Sequence, residues 1–286
     1  MKSKWLIAIL AVLALFFIIA FIGVFVWVAS ELSPKIGVIY IRGAIAVDDS
    51  GGFLYSAHSS RDIVDLIKKA DDDPSVKAIL LDINSPGGSV VGSKEIAYAV
   101  RNCKKPVVAY ISEIGASGAY YIASAADLVI SDEDSLTGSI GTVMVLENYY
   151  DLLQKLGINI TVMKKGKFKD MGSSFKQNIT EEERKMFQKI LDEAYQHFIR
   201  DLREFRGDKV NLSVADGRIL TGTQAKRYGL VDELGTREYA LERAWELANQ
   251  TGEPEVKEFK KEKFFLDELL AMFTSRPTTQ LAFYSS

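Results

Sequence analysis

The residues best suited to chemistry are Gly115-Ala116-Ser117-Gly118-Ala119-Tyr120-Tyr121, a serine among very small neighbours directly after the apolar run Val107 to Ile111. That run predicts a buried strand, and Tyr120 to Ala126 predicts a helix. A serine at this junction stands at a helix N-terminus, where unpaired backbone N–H groups favour negative charge. Charge developing on an alkoxide, or on the oxyanion of a tetrahedral intermediate, would be stabilised there. The small neighbours would let a substrate backbone approach closely. The same pattern also suits a strand-to-helix turn with no chemistry, so its weight depends on what accompanies it.

A hydrolytic serine needs a base. The chain has two histidines, His58 and His197, and neither sits in a context that suggests a Ser-His-Asp triad. There is no His-Glu-x-x-His pattern, and Cys103 is the single cysteine, so zinc chemistry and an intrachain disulfide have no basis. No metal or cofactor is expected. Lysine remains, and it can accept a proton only when uncharged, which requires desolvation or neighbouring positive charge. Lys164, Lys165, Lys167 and Lys169 crowd one turn. A charge run is ordinarily a solvated face, and residue physics does not choose among the four. A second requirement is met by Asn84-Ser85-Pro86-Gly87-Gly88. Pro86 stiffens this turn, and one bare amide, from Gly87 or Gly88, could join that of Gly118 as an oxyanion hole.

The elements that must position these groups alternate in type. Strands are expected at Ile36 to Ile41, Val76 to Ile83, Val107 to Ile111, Leu128 to Ser131 and Ile158 to Met163. Helices are expected from about Ser60 to Ala70, Ser93 to Asn102, Asn148 to Leu156, Thr223 to Tyr228 and Arg237 to Asn249. A long helix is expected to start at the capping box Thr180-Glu181-Glu182-Glu183 and run to about Phe205. Such alternation predicts an α/β domain with a mostly parallel sheet flanked by helices on both faces. Sites in such sheets form at the carboxyl ends of strands, where Gly87, Gly88 and Ser117 all fall.

Ahead of this domain, Trp5 to Ala29 is uncharged and almost wholly apolar. At about 1.5 Å per residue it is long enough to span a bilayer. Lys2 and Lys4 precede it, so the positive-inside bias places the N-terminus in the cytoplasm and the remainder outside. A cleaved signal peptide is the competing reading, but its apolar stretch is normally only about 7–15 residues. The expected organisation is a cytoplasmic stub and transmembrane anchor over 1–33, a catalytic domain over 34–254 and a C-terminal extension over 255–286. The net charge of −3 advertises no nucleic-acid partner.

Taken together, these blocks resemble the signal peptide peptidase A (SppA) family, serine peptidases of the ClpP/crotonase fold. The resemblance covers roughly residues 34 to 250. It is carried by Asn84-Ser85-Pro86-Gly87-Gly88, Ala116-Ser117-Gly118-Ala119-Tyr120-Tyr121, Thr137-Gly138-Ser139-Ile140-Gly141, Phe168-Lys169-Asp170, Asp216-Gly217-Arg218 and Gly229-Leu230-Val231-Asp232. Ala119 departs from the family, which usually has a second glycine there. The resemblance implies a Ser-Lys dyad, with Ser117 as nucleophile and Lys169 as general base. It also implies peptide substrates such as cleaved signal peptides near the membrane, and homo-oligomers in which the serine of one subunit can meet the lysine of the next. Two alternatives accompany it: a crotonase-like acyl-CoA enzyme, and an inactive membrane scaffold that binds peptides in its groove.

Overall fold

The computed structural model describes residues 13, 15–25, 33–48 and 57–261. Residues 15–25 form helix α1, with apolar side chains exposed along it. The rest of the expected Trp5 to Ala29 anchor lies almost wholly outside the described residues. Among the described residues no helix is long and apolar enough to cross a membrane.

The domain is built on one sheet, whose main path runs β2 (Ala57–Ser59), β1 (Lys35–Ala46), β3 (Val76–Gly88), β4 (Val107–Ala116), β5 (Leu128–Ser131) and β8 (Glu233–Leu234). Its ladders are parallel, except that β6 (Leu136–Gly138) pairs antiparallel with β7 (Ile219–Thr221). Parallel strands covered on both faces should be apolar at every position, with successive side chains parting to opposite sides. That is what β3 does. Ile79, Leu81 and Ile83 join one core cluster, while Ala78 and Leu80 join the other. The first cluster is completed by helices α2 (Ser60–Asp72), α3 (Val90–Arg101), α4 (Gly118–Ser124) and α6 (Glu181–Arg206). The second is covered by α8 (Arg237–Leu247), which inserts Ala240, Leu241, Ala244 and Trp245. The one acid inside β3, Asp82, is buried because Arg42 (2.7 Å) and Arg237 (3.0 Å) both reach it.

Two expectations are corrected here and one is given detail. The stretch Asn84 to Gly88 is not a free turn but the end of β3, which bends at a register shift and goes on to pair Gly87 with Ala44 and Gly88 with Ile45. Glycines are required for this close approach, because a Cβ on Gly88 would overlap the Ile45 carbonyl. Next, Glu255–Phe259, expected within an extension, forms β9 and pairs in parallel with the first half of β1. Finally, Ile158 to Met163 forms no strand. Its apolar residues Ile158, Ile160 and Val162 alternate as a strand requires, yet they are exposed and pair with no strand among the described residues.

That segment belongs to an arm, residues 143–180, which contains α5 (Tyr150–Lys155) and has no buried residue in that helix. The arm is anchored where it meets α6. Thr180 caps the helix and Glu183 closes the box by accepting from the Thr180 amide (2.8 Å). Glu183 also accepts from Lys176 Nζ (2.6 Å), and that hydrogen bond, with those from Thr180, lowers its pKa to about 2.

Candidate active site

Strand β4 ends at Ala116, and the chain turns into α4 through Ser117 with φ 54° and ψ −123°. This backbone conformation is costly for an L-residue, on the order of 1–3 kcal/mol, and such strain is informative where it falls on a candidate nucleophile. Its surroundings hold it in place. The Ser117 amide donates to the Gly138 carbonyl (2.9 Å), and the next residue, Ser139, itself at φ 52°, donates its amide to Arg218 O (2.8 Å). The Thr137-Gly138-Ser139 and Asp216-Gly217-Arg218 motifs thus form a strap behind the serine. Tyr120 donates to Leu230 O (3.0 Å). Two residues on, Asp232 receives Arg206 through two 2.8 Å contacts and the Val129 amide. Arg206 itself is buried, so the distant Gly229 to Asp232 block fixes the far side of α4.

On the near side lie the glycines. A Cβ on Gly87 would stand 2.6 Å from Gly118 N and 2.7 Å from Ala116 O, so the β3 terminus and the start of α4 touch backbone to backbone. The Gly87 amide is occupied, donating to Ser85 Oγ (3.1 Å). Gly88, Ser117 and Gly118 line a common cavity of about 490 Å³, with Val90, Val91, Tyr98, Tyr121 and Phe198 among its walls. Gly87 lies behind that surface. The Gly118 amide is in the first turn of α4, where amides have no intrahelical acceptor.

The cavity wall is held by a buried carboxylate. Asp201 accepts from Tyr121 Oη and from Arg200 Nε (2.8 Å), with Lys94 Nζ at 3.9 Å. Burial by itself would raise the Asp201 pKa, but the hydrogen bonds from Tyr121 and Arg200 and the nearby cations keep it below the ordinary carboxylate value. Tyr121 is driven the other way, upward, by burial and by Asp201. The Tyr121 ring packs edge-on against Phe198 with centroids 4.9 Å apart.

Lys169 sits apart from this cavity. It is exposed on the arm, in the turn closed by its amide donating to Gly166 O (3.2 Å), and it is not among the cavity-lining residues. Two of its neighbours are engaged, Lys164 with Asp170 and Lys167 with Glu182. His197, which shows no triad context in sequence, does line the cavity. The side chain of His58 lies outside the described residues. Ser93 and Asp201 were not anticipated, whereas Ser139 belongs to a block already singled out in the sequence. The positive φ of Ser139 and the carboxylate of Asp201 acquire meaning only through partners far away in the chain. No group of acidic, histidine or cysteine side chains able to hold a metal occurs among the described residues.

A strained serine and bare glycine backbone meet at the carboxyl ends of adjacent parallel strands of an α/β fold, an arrangement with the parts a serine hydrolase of the ClpP-like class needs. Peptidase family S49 matches residues 99–251, and Clp protease matches residues 54–130. A Methanocaldococcus jannaschii protein assigned as a protease is 41% identical over 236 residues, covering 80% of this chain and 75% of its own. A signal peptide peptidase SppA assigned in Enterococcus faecium is 36% identical over 216 residues, covering 73% of this chain and 62% of its own. Among solved structures, a lysine-to-alanine mutant of the 1510-N membrane-bound stomatin-specific protease, in complex with a substrate peptide, superposes with a TM-score of 0.52 at 15% identity, covering 84% of this chain and 98% of that one. At that identity the likeness is one of fold. The chain belongs to peptidase family S49. It is a serine endopeptidase of the signal peptide peptidase type, which leaves no place for the acyl-CoA alternative.

Proposed function

We propose that this chain is a membrane-anchored peptidase with a Ser-Lys dyad, its catalytic domain outside the cytoplasm. Ser117 Oγ attacks a peptide carbonyl, and the uncharged amine of Lys169 takes its proton and later delivers one to the leaving amine. The oxyanion is received by the amides of Gly118 and Gly88, since Gly87 has already given its N–H to Ser85. The observation that carries the reading is the strained Ser117 at the cavity floor, facing bare glycine backbone. The largely apolar lining suits apolar segments, in keeping with released signal peptides as substrates.

Lys169 enters through assembly. Its arm exposes Val143, Val145, Leu156, Ile160, Val162 and Met163, and clustered exposed apolar side chains are a feature of surfaces that bind a partner. The unpaired alternating segment 158–163 also offers backbone for pairing with another chain. In the proposed homo-oligomer the arm of one subunit lies on its neighbour and carries Lys169 to that neighbour's Ser117. Desolvation there would supply the lowered lysine pKa that the mechanism needs. No cofactor takes part.

The test is complementation. Ser117→Ala and Lys169→Ala proteins, each folded, should be inactive on a reporter peptide alone, with about 10³-fold loss or more. Mixed and co-assembled, they should recover part of the wild-type rate, because some interfaces then pair an intact serine with an intact lysine. Activity in either single variant would remove the dyad. Inactive variants that never complement would place both groups within one chain.

A further inference from the structure

Among the described residues three buried side-chain polar atoms lack a hydrogen-bond partner: Ser93 Oγ, Arg206 Nε and Trp245 Nε1. Of their residues, Ser93 lines the cavity that holds Ser117. It lies in the first part of α3, the helix that leaves Gly88 through the N-cap Ser89, and it is 2% exposed. Its amide follows the helix and donates to Ser89 O (2.9 Å), while its hydroxyl points elsewhere.

Where it points is informative. A Cβ built on Gly118 would overlap Ser93 Oγ, and that same point lies 3.0 Å from Ser93 Cβ and 3.3 Å from the Gly88 amide nitrogen. The Ser93 hydroxyl therefore stands against Gly118, on the side of that residue that the Gly88 amide nitrogen also approaches. These residues carry the two proposed oxyanion donors. Position 118 must be glycine because this hydroxyl occupies the space of a side chain. A buried hydroxyl with no partner bears its full desolvation cost, and native structures rarely keep such groups without a reason. Alanine would fill the helix position with better propensity and no polar atom to satisfy. Packing therefore does not explain the serine.

We infer that Ser93 is a further catalytic residue, a third hydrogen-bond donor to the oxyanion. This rests on the peptidase reading above. As the Ser117 Oγ–carbon bond forms, the carbonyl π pair moves onto oxygen and the Ser117 proton passes to the lysine amine. The new O⁻ is met by two amide N–H groups and by the Ser93 O–H, which donates without transferring its proton. Collapse returns the pair to the carbonyl, breaks the carbon–nitrogen bond and sends the lysine's proton to the departing amine. A hydrogen bond to a full negative charge is much stronger than one to a ground-state carbonyl. Ser93 therefore acts on the transition state and hardly on substrate binding.

The experiment compares full-length wild type, Ser93→Ala and Ser93→Cys in detergent. It measures kcat and KM on a reporter peptide, affinity for a peptide aldehyde whose serine adduct carries the same oxygen, and thermal midpoint. Ser93→Ala should lose about tenfold to a hundredfold in kcat with KM within about twofold. Aldehyde affinity should fall in step, and the melting temperature should stay level or rise, since an unsatisfied hydroxyl has gone. Ser93→Cys, with its weaker donor, should fall between the two; it carries the test if the alanine variant does not fold. A wild-type kcat in the folded variant, or a loss confined to KM, overturns the assignment. If wild type itself neither cleaves nor becomes acylated at Ser117 by an active-site reagent, the failure lies with the peptidase reading and not with Ser93.

Discussion

At the scale of single residues, the strain at Ser117 is the most direct statement the fold makes about chemistry. A glycine adopts φ 54° and ψ −123° without the cost a side chain incurs, so Ser117→Gly should be more stable than Ser117→Ala by about 1 kcal/mol while both are inactive. The size allows for the extra freedom glycine gains in the unfolded chain. Chemical denaturation of the two inactive proteins measures it, and a glycine variant that unfolds first would mean the conformation is relaxed. The candidate serine and the paired glycines are legible in sequence, because each belongs to a compact local motif, whereas Lys169 is singled out among four neighbouring lysines only by the family resemblance. The division of labour between the glycines is less legible. That Gly88 faces the cavity while Gly87 is spent on Ser85 depends on a bend in β3 that no local pattern announces.

Elements show the same contrast. The start of α6 is written plainly, since Thr180 and Glu183 form a capping box as expected, and Thr180→Ala should cost about 1 kcal/mol. Glu183 adds a pH dependence. Its folded-state pKa, about 2, lies below the unfolded value of about 4.3. Its stabilisation is therefore fully present above that unfolded value and is lost as pH falls toward 2. Glu183→Gln should thus destabilise the protein at pH 6, and the gap from wild type should narrow by pH 3, as read from urea midpoints at the two values. A gap that stays constant would show that the Lys176 and Thr180 contacts do not act through charge. By contrast, the strand expected at Ile158 to Met163 is absent despite its alternation. A strand is a property of a pair, and no strand among the described residues pairs with it.

For the whole molecule, the unpartnered arm is the main consequence. Val145 and Met163 are 77% and 94% exposed in the single chain. Under the proposed assembly, Val145→Asp and Met163→Asp together should shift the sedimentation profile toward monomer and abolish cleavage, while far-ultraviolet circular dichroism stays unchanged. A doubly substituted protein that remains assembled and active would remove the arm from the interface. The sheet, in contrast, is complete without help, with helices over both faces and β9 covering half of β1.

The order of residues alone determined the strand and helix alternation, the parallel sheet and the serine motif, because these rest on periodicities and short blocks that act over a few neighbours; the peptidase family was legible only as a resemblance carried by several such blocks in sequence. Only the tertiary structure decided which glycine amide reaches the cavity, that Asp201 and Tyr121 brace its wall, and that an unpaired Ser93 hydroxyl stands beside Gly118. The reason is physical. Burial and hydrogen-bond satisfaction are relations between segments distant along the chain, such as Tyr121 with Asp201 or Tyr120 with Leu230, and they exist only once those segments are packed together.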